Sequence, residues 1–313
     1  MLLVYIPAEA AQLLLDHGAT PNILHIEEGT PLTLQLKQKR LAVAECILKS
    51  DPSLVDEMFT NVSSEQHNHY SALHNCAWDG YVEGIELLLR YGADHRLVTP
   101  DGNTAVGLAC HADWLTCAMY LLKLGCDTNC QDHDGDTALL YATCNGNWAL
   151  VNSLLSHGAD PGLGNKNNVT PLWNAVYSRS LESVRSLLLL NANPDIPCRG
   201  CNIFDRDNIN IYDTPVSPLF VAIHQEESSI AKTLVSAGCY MNALKFSIPN
   251  FHMYVDEWDD DDDKKWFEHV SSNPPSLLWW SKRAVRRSLP VNPKSIIESL
   301  PIPSSLKLYI QHI

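Results

Sequence analysis

Few residue groupings in this chain have the types and spacing that chemistry needs, and each is incomplete. Cys198-Arg199-Gly200-Cys201 has the two-thiolate spacing of a zinc site. Such a site needs two more ligands, and no second Cys-x-x-Cys exists. His67, His69 and His74 form a loose sequence cluster. Asp259 to Asp263 offer oxygen ligands to calcium, but the run lacks the glycine and spacing of a calcium loop and reads as a solvated stretch. A glycine-rich phosphate loop, a His-Glu-x-x-His pair and a nucleophile elbow are absent from the sequence. The expectation is a non-catalytic chain with no cofactor and no metal, whose work is binding.

Charge narrows the choice of partner. The formal net charge of −14 argues against a nucleic-acid binder, which would carry a basic face. The charge is also uneven. From Pro274 onward six Lys/Arg (282, 283, 286, 287, 294 and 307) face one acid, Glu298, so an acidic body is joined to a basic tail. Ten cysteines without framework spacing fit a reducing compartment. No apolar run approaches the roughly 18 residues of a membrane span. Met1 to Ile6 lack the basic flank and cleavage site of a signal. Cytoplasm is expected, with the nucleus open.

The elements that must position a binding surface follow a ruler. Ser71-Ala72-Leu73, Thr104-Ala105-Val106, Thr137-Ala138-Leu139 and Thr170-Pro171-Leu172 recur every 33 residues. So do Gly92-Ala93-Asp94, Gly125-Cys126-Asp127, Gly158-Ala159-Asp160 and Asn191-Ala192-Asn193. Ser or Thr is placed to cap a first helix, and Gly to end a second in the left-handed conformation. Ala109, Ala142 and Ala175 are small enough to let neighbouring helices approach. The pattern resembles the ankyrin repeat closely, across most of residues 8 to 245, and His74 sits where that repeat carries a structural histidine. Thr30 lies 41 residues before Ser71 and Ser217 lies 47 after Thr170, so insertions are expected near 51–70 and 198–210. The resulting expectation is an all-α ankyrin-repeat solenoid of about six repeats, preceded by a partial one, so that either the array is capped irregularly or its front half lies upstream of Met1.

Beyond the repeats, residues 246–273 read as an acidic linker, with a short helix from Trp266 to Val270 at its end. Residues 274–313 read as three short helices with more apolar face than they can hide among themselves. Leu277, Trp280, Ser281, Ala284, Val285 and Leu289 share a helical face, and Leu300-Pro301-Ile302-Pro303 forms an extended corner. Ser276-Leu277-x-x-x-Ser281-x-x-x-Val285 resembles the elongin-binding box of a SOCS box, with Ser281 where Cys is usual. Ile297-x-x-Leu300-Pro301-Ile302-Pro303-x-x-Leu306-x-x-Tyr309 resembles its cullin box. The alternative for this segment is a helical cap on the last repeat.

In this order the parts resemble the ankyrin repeat and SOCS box family. The resemblance implies a substrate receptor for a ubiquitin ligase built on elongin B, elongin C, a cullin-5-type cullin and a RING subunit. It implies elongin contacts at Ser276, Leu277, Trp280, Ser281 and Val285. It implies cullin contacts at Ile297, Leu300, Pro301, Ile302, Pro303, Leu306 and Tyr309. The period of 33 projects Trp78, His111, Cys144 and Tyr177 alike, with Asn75, Leu108, Tyr141 and Asn174 in the row beside them. From these rows a protein-binding surface is expected at Trp78, Asp79, His111, Tyr141, Asn145, Tyr177 and Arg179, since aromatics and Arg dominate binding energy. Leu121 with Asp127-Thr128-Asn129 resembles an ankyrin segment hydroxylated on Asn by an asparaginyl hydroxylase, which points to Asn129. A plain ankyrin scaffold without ligase partners is the competing reading.

Overall fold

A computed structural model describes residues 7–21, 30–60, 69–199, 215–239 and 260–272. Those residues fall in two compact units, one up to Tyr141 and the other from Ala142. The helices come in pairs. An unpaired α1 (Ala8–Asp16) precedes α2 (Pro31–Lys37) with α3 (Leu41–Ser50), α4 (Ala72–Trp78) with α5 (Val82–Arg90), and α6 (Ala105–His111) with α7 (Leu115–Lys123). Then follow α8 (Ala138–Cys144) with α9 (Trp148–Ser156), α10 (Pro171–Tyr177) with α11 (Leu181–Leu189), and α12 (Pro218–His224) with α13 (Ser228–Ser236). The last described element is α14 (Asp261–Ser272). Among the described residues, the six helix pairs α2 to α13 are the ankyrin architecture that the ruler predicts.

The first helix of each pair has seven residues, too short to persist alone, so capping and packing must hold it. The expected caps are in place. Backbone N–H groups of Thr33, His74, Gly107, Leu140, Trp173 and Phe220 donate to the hydroxyls of Thr30, Ser71, Thr104, Thr137, Thr170 and Ser217, at 3.2–3.4 Å. Proline fills the first turn of α2, α10 and α12, where its missing N–H costs nothing. Past the second helices, Gly92, Gly125, Gly158 and Asn191 all have positive φ. The tight turn between the two helices of a pair also requires a left-handed residue, and here the chain uses Lys39, Gly80, Asp113, Gly146, Arg179 and Glu226. Four of these six are charged residues in a conformation that L-residues adopt at a cost.

Packing supplies the rest. Ala109, Ala142 and Ala175 are 0% exposed, as their size suggested. Leu73, Ile85, Leu88 and Leu121 are buried in the first unit, and Leu154, Leu172, Leu187 and Leu219 in the second. Each such side chain contributes about 1.5–3 kcal/mol. Cys76, Cys110, Cys117, Cys126 and Cys239 are free thiols in this interior. Burial pushes Cys117 and Cys126 up to about 11 and Cys76 and Cys110 further above the ordinary thiol range.

Three details differ from the sequence reading. The first insertion is not only a loop. A 3-10 helix (Pro52–Asp56) and an antiparallel pair, β1 (Phe59–Thr60) with β2 (His69–Tyr70), close it, and the Asp56 carboxylate accepts the Asp94 N–H at 3.0 Å. Next, Cys198 is buried and disulfide-bonded. Its backbone pairs with Val216 at 3.0 and 2.9 Å, which draws the two ends of the second insertion together. Finally, the short helix expected at Trp266–Val270 is part of the longer α14, which takes in Asp261–Asp263 of the acidic run. Carboxylates suit a helix N-terminus, and Asp260 Oδ1 accepts the N–H groups of Asp262 and Asp263 at 2.8 and 3.4 Å.

Candidate functional site

Three first helices of the first unit bring aromatic rings together. Trp78 ends α4, His111 ends α6, and Tyr141 is the fourth residue of α8. Trp78 and His111 meet edge to face at 5.1 Å between centroids and 86°, and His111 stacks on Tyr141 at 4.5 Å and 10°. The Tyr141 hydroxyl donates to Asp132, with Asn103 Oδ1 at 3.4 Å, which fixes the ring. Burial, then the Asp132 bond and charge, push Tyr141 well above the usual phenol range, so it stays a neutral donor. Trp78 remains 42% exposed, and Asp79 beside it is the exposed C-cap of α4. An exposed, orientated set of aromatics beside polar groups suits protein recognition.

Trp114 joins this set, and the sequence reading missed it. Its indole Nε1–H donates to the Trp78 carbonyl at 2.8 Å, and its ring lies over Gly80 while staying 44% exposed. The signal was available, because Trp114 stands 33 residues after Tyr81, at the same repeat position. Trp148, at the start of α9, is 48% exposed and was missed as well. Leu108 is corrected in the other direction. At 1% exposure it belongs to the core and cannot touch a partner.

In the second unit Tyr177 is exposed and stacks on Trp173 at 5.3 Å and 12°. Trp173 is itself buried and donates through Nε1 to the Val216 carbonyl at 3.1 Å. Arg179, at φ 57, reaches Glu227 with Nε to Oε1 at 3.7 Å. Asn145 is exposed just after α8. Cys144 is exposed too, like Trp78, His111 and Tyr177, so the projected row is accessible at all four positions.

His74 is structural. Its Nδ1 accepts the Ser71 N–H at 3.3 Å in a capping box, and its Nε2 lies 3.1 Å from the Leu97 carbonyl. Burial lowers it to about 4, so the ring is neutral and ties one repeat to the following loop. The other two members of its sequence cluster, the His67 and His69 side chains, lie outside the described residues. Among the described residues no group of three His, Cys, Asp or Glu is arranged to hold a metal. A Cys198 sulfur held in a disulfide is no thiolate ligand. Asn129 is exposed, and its N–H donates to Asp127 Oδ1 at 2.9 Å in an Asx turn. The ligase-facing candidates Ser276, Leu277, Trp280, Ser281, Val285, Ile297, Leu300, Pro301, Ile302, Pro303, Leu306 and Tyr309 lie outside the described residues.

Family profiles match both parts. The profile described as ankyrin repeats (3 copies) matches residues 73–165 and 108–199, and the SOCS box profile matches residues 273–311. This chain carries ankyrin repeats and a SOCS box. Ankyrin repeat and SOCS box protein 16 of Mus musculus is 33% identical over 172 residues, 52% of this chain and 36% of that protein. Ankyrin repeat and SOCS box protein 11 of Danio rerio is 36% identical over 103 residues, 33% of this chain and 34% of that protein. The B-cell lymphoma 3 protein homolog of Mus musculus is 31% identical over 180 residues, 56% of this chain and 39% of that protein. The chain thus aligns with about two-fifths or less of the length of these relatives. Among its described residues no helix is long and apolar enough to cross a membrane.

Proposed function

We propose that this ankyrin repeat and SOCS box chain is the substrate-recognition subunit of an elongin B/C–cullin-5-type ubiquitin ligase. The observation that carries the reading is one chain holding both an ankyrin array with an exposed aromatic set and a SOCS box match at residues 273–311. The chain divides as 1–245 for the array, 246–273 for the connection that includes α14, and 274–313 for the SOCS box. Leu277 enters an apolar pocket of elongin C, with Ser276, Trp280, Ser281 and Val285 around it. Ile297, the Leu300 to Pro303 corner, Leu306 and Tyr309 face the cullin. Trp78, Asp79, His111, Tyr141, Asn145, Tyr177 and Arg179 hold a target protein. The chain does no bond chemistry. It raises the effective concentration of a target lysine near an E2 that the RING subunit recruits. It works in the cytoplasm or nucleus, and Asn129 is an acceptor for asparaginyl hydroxylation.

The competing reading makes residues 274–313 a mere cap for the array. The position of α14 weighs against it, because that helix already contacts the last described pair through Lys232 of α13. Co-purification of the full chain with elongin B–elongin C tests the proposal. Leu277→Ala removes a core-like side chain, at about 2–5 kcal/mol, and is expected to abolish capture while the array's helical signal is unchanged. Failure of the wild type to capture the pair would leave the scaffold reading in possession.

A further inference from the structure

A polar contact ties α14 to the last described repeat, and one apolar side chain of the helix is buried. The buried one is Phe267, 0% exposed, on a helix that also carries the exposed Asp261, Asp262, Lys265, Glu268 and His269. The polar one centres on Lys232 of α13. Its ammonium pairs with the Asp263 carboxylate and lies over the Trp266 ring, 5.6 Å from the centroid. Lys232, then Ser228, hydrogen-bonds Asp263 and holds its carboxyl below the usual range. The Asp263 side chain is only 14% exposed, which sets this pair apart from the solvated Lys265–Asp262 pair on the same helix, at 73% and 94%. Asp260 caps the helix through two N–H groups. A cap, a buried ring and an ion pair shielded on its Asp263 side thus meet on one helix.

The position of α14 in the chain gives these contacts a meaning. It ends at Ser272, and the SOCS box match begins at the next residue, Asn273. Were residues 246–272 a free tether, their ends would wander over roughly 25–30 Å. We propose that α14 is a coupling helix that fixes the start of the SOCS box against the last repeat, with Phe267 and Lys232 as its positioning residues. This rests on the ligase-receptor reading. It assigns the connecting segment the task of setting where a bound protein's lysines stand relative to the transferring E2. A fixed exit direction favours some lysines over others, whereas a free tether would sample many.

The test uses the full chain with elongin B–elongin C, the cullin, the RING subunit, an E2 and ubiquitin, taking the receptor's own lysines as acceptors. Lys232→Glu and Phe267→Ala are compared with wild type and with Lys232→Arg, which keeps both the charge and the ring contact. Backbone hydrogen exchange in α14 is expected to speed up at least tenfold in Lys232→Glu and Phe267→Ala, with α10 and α11 unchanged. Elongin capture stays within twofold of wild type, while the share of ubiquitin on the lysines favoured in the wild type falls by at least half. Lys232→Arg restores both readouts. Wild-type α14 exchanging at the rate of unprotected chain overturns the proposal, as does an unchanged lysine pattern once α14 is released. Loss of elongin capture by the wild type itself overturns the ligase reading, and the coupling role with it, whatever α14 does.

Discussion

Replacing Gly80 by alanine should be far more damaging than the same change at Gly146, although both glycines occupy the same turn of their repeats. Both have positive φ, +70 and +69, so each alanine meets the cost of a left-handed L-residue, about 1 kcal/mol. The surroundings then separate them. A Cβ at Gly80 would lie 2.4 Å from Cδ2, 2.7 Å from Cε2 and 2.9 Å from Cε3 of Trp114. The indole must swing away, and its hydrogen bond to the Trp78 carbonyl goes with it, a further loss of about 1 kcal/mol besides lost ring packing. A Cβ at Gly146 meets only Ser178, at 3.5 Å or more, which is ordinary contact. The expected costs are about 2–4 kcal/mol for Gly80→Ala and about 1 kcal/mol for Gly146→Ala. Urea titration of the full chain, followed by helical circular dichroism, measures both. The Gly80→Ala/Trp114→Ala pair should show coupling of about 1–2 kcal/mol, because the second change removes the obstacle to the first. Equal costs at the two glycines, to within about 0.5 kcal/mol, would refute the argument that the Trp114 ring seals this turn.

Other consequences are as open to measurement. His74 has its folded value lowered to about 4 from 6.5, so its neutral form is bound up with folding. That stability is complete above pH 6.5 and is lost as the pH falls from 6.5 towards 4, by about 2 kcal/mol at pH 5. Urea midpoints at pH 7 and pH 5 would show it, and His74→Gln should flatten the difference. Arg179→Gly relieves a left-handed arginine and gives up one exposed ion pair, so the midpoint should rise by the equivalent of about 0.5–1 kcal/mol. A fall would mean that the Glu227 contact outweighs the backbone strain. Mass spectrometry of the peptide carrying Asn129, after co-expression with the asparaginyl hydroxylase, should find one added oxygen on that residue. An unmodified Asn129 would remove it as an acceptor.

The repeat frame was legible because its causes are local. Thr104, Thr137 and Thr170 announce helix starts through a hydroxyl that reaches only three residues, and Gly92, Gly125 and Gly158 announce helix ends through backbone freedom. His74 was legible from its place in the repeat, and its partner Ser71 is only three residues away. What escaped depends on contacts between distant parts of the chain. Trp114 reaches the Trp78 carbonyl across 36 residues, and Asp56 reaches the Asp94 N–H across 38. Leu108 shares its repeat position with the half-exposed Asn75 and Tyr141, yet is buried by its own surroundings. The acidic run looked solvated because its charges dominate any local reading. Its last carboxylate, Asp263, finds Lys232 31 residues upstream.

The buried thiols turn the protein into its own clock. Cys76, Cys110, Cys117, Cys126 and Cys239 are spread along the array, four of them at most 2% exposed and Cys126, in the turn after α7, 9% exposed. A raised thiol value slows reaction even on brief exposure, since thiolate is the reacting form. Exposed Cys144 supplies the starting mark. The order in which a small alkylating agent then reaches the other five would record which repeats open first, with no label added and no residue changed.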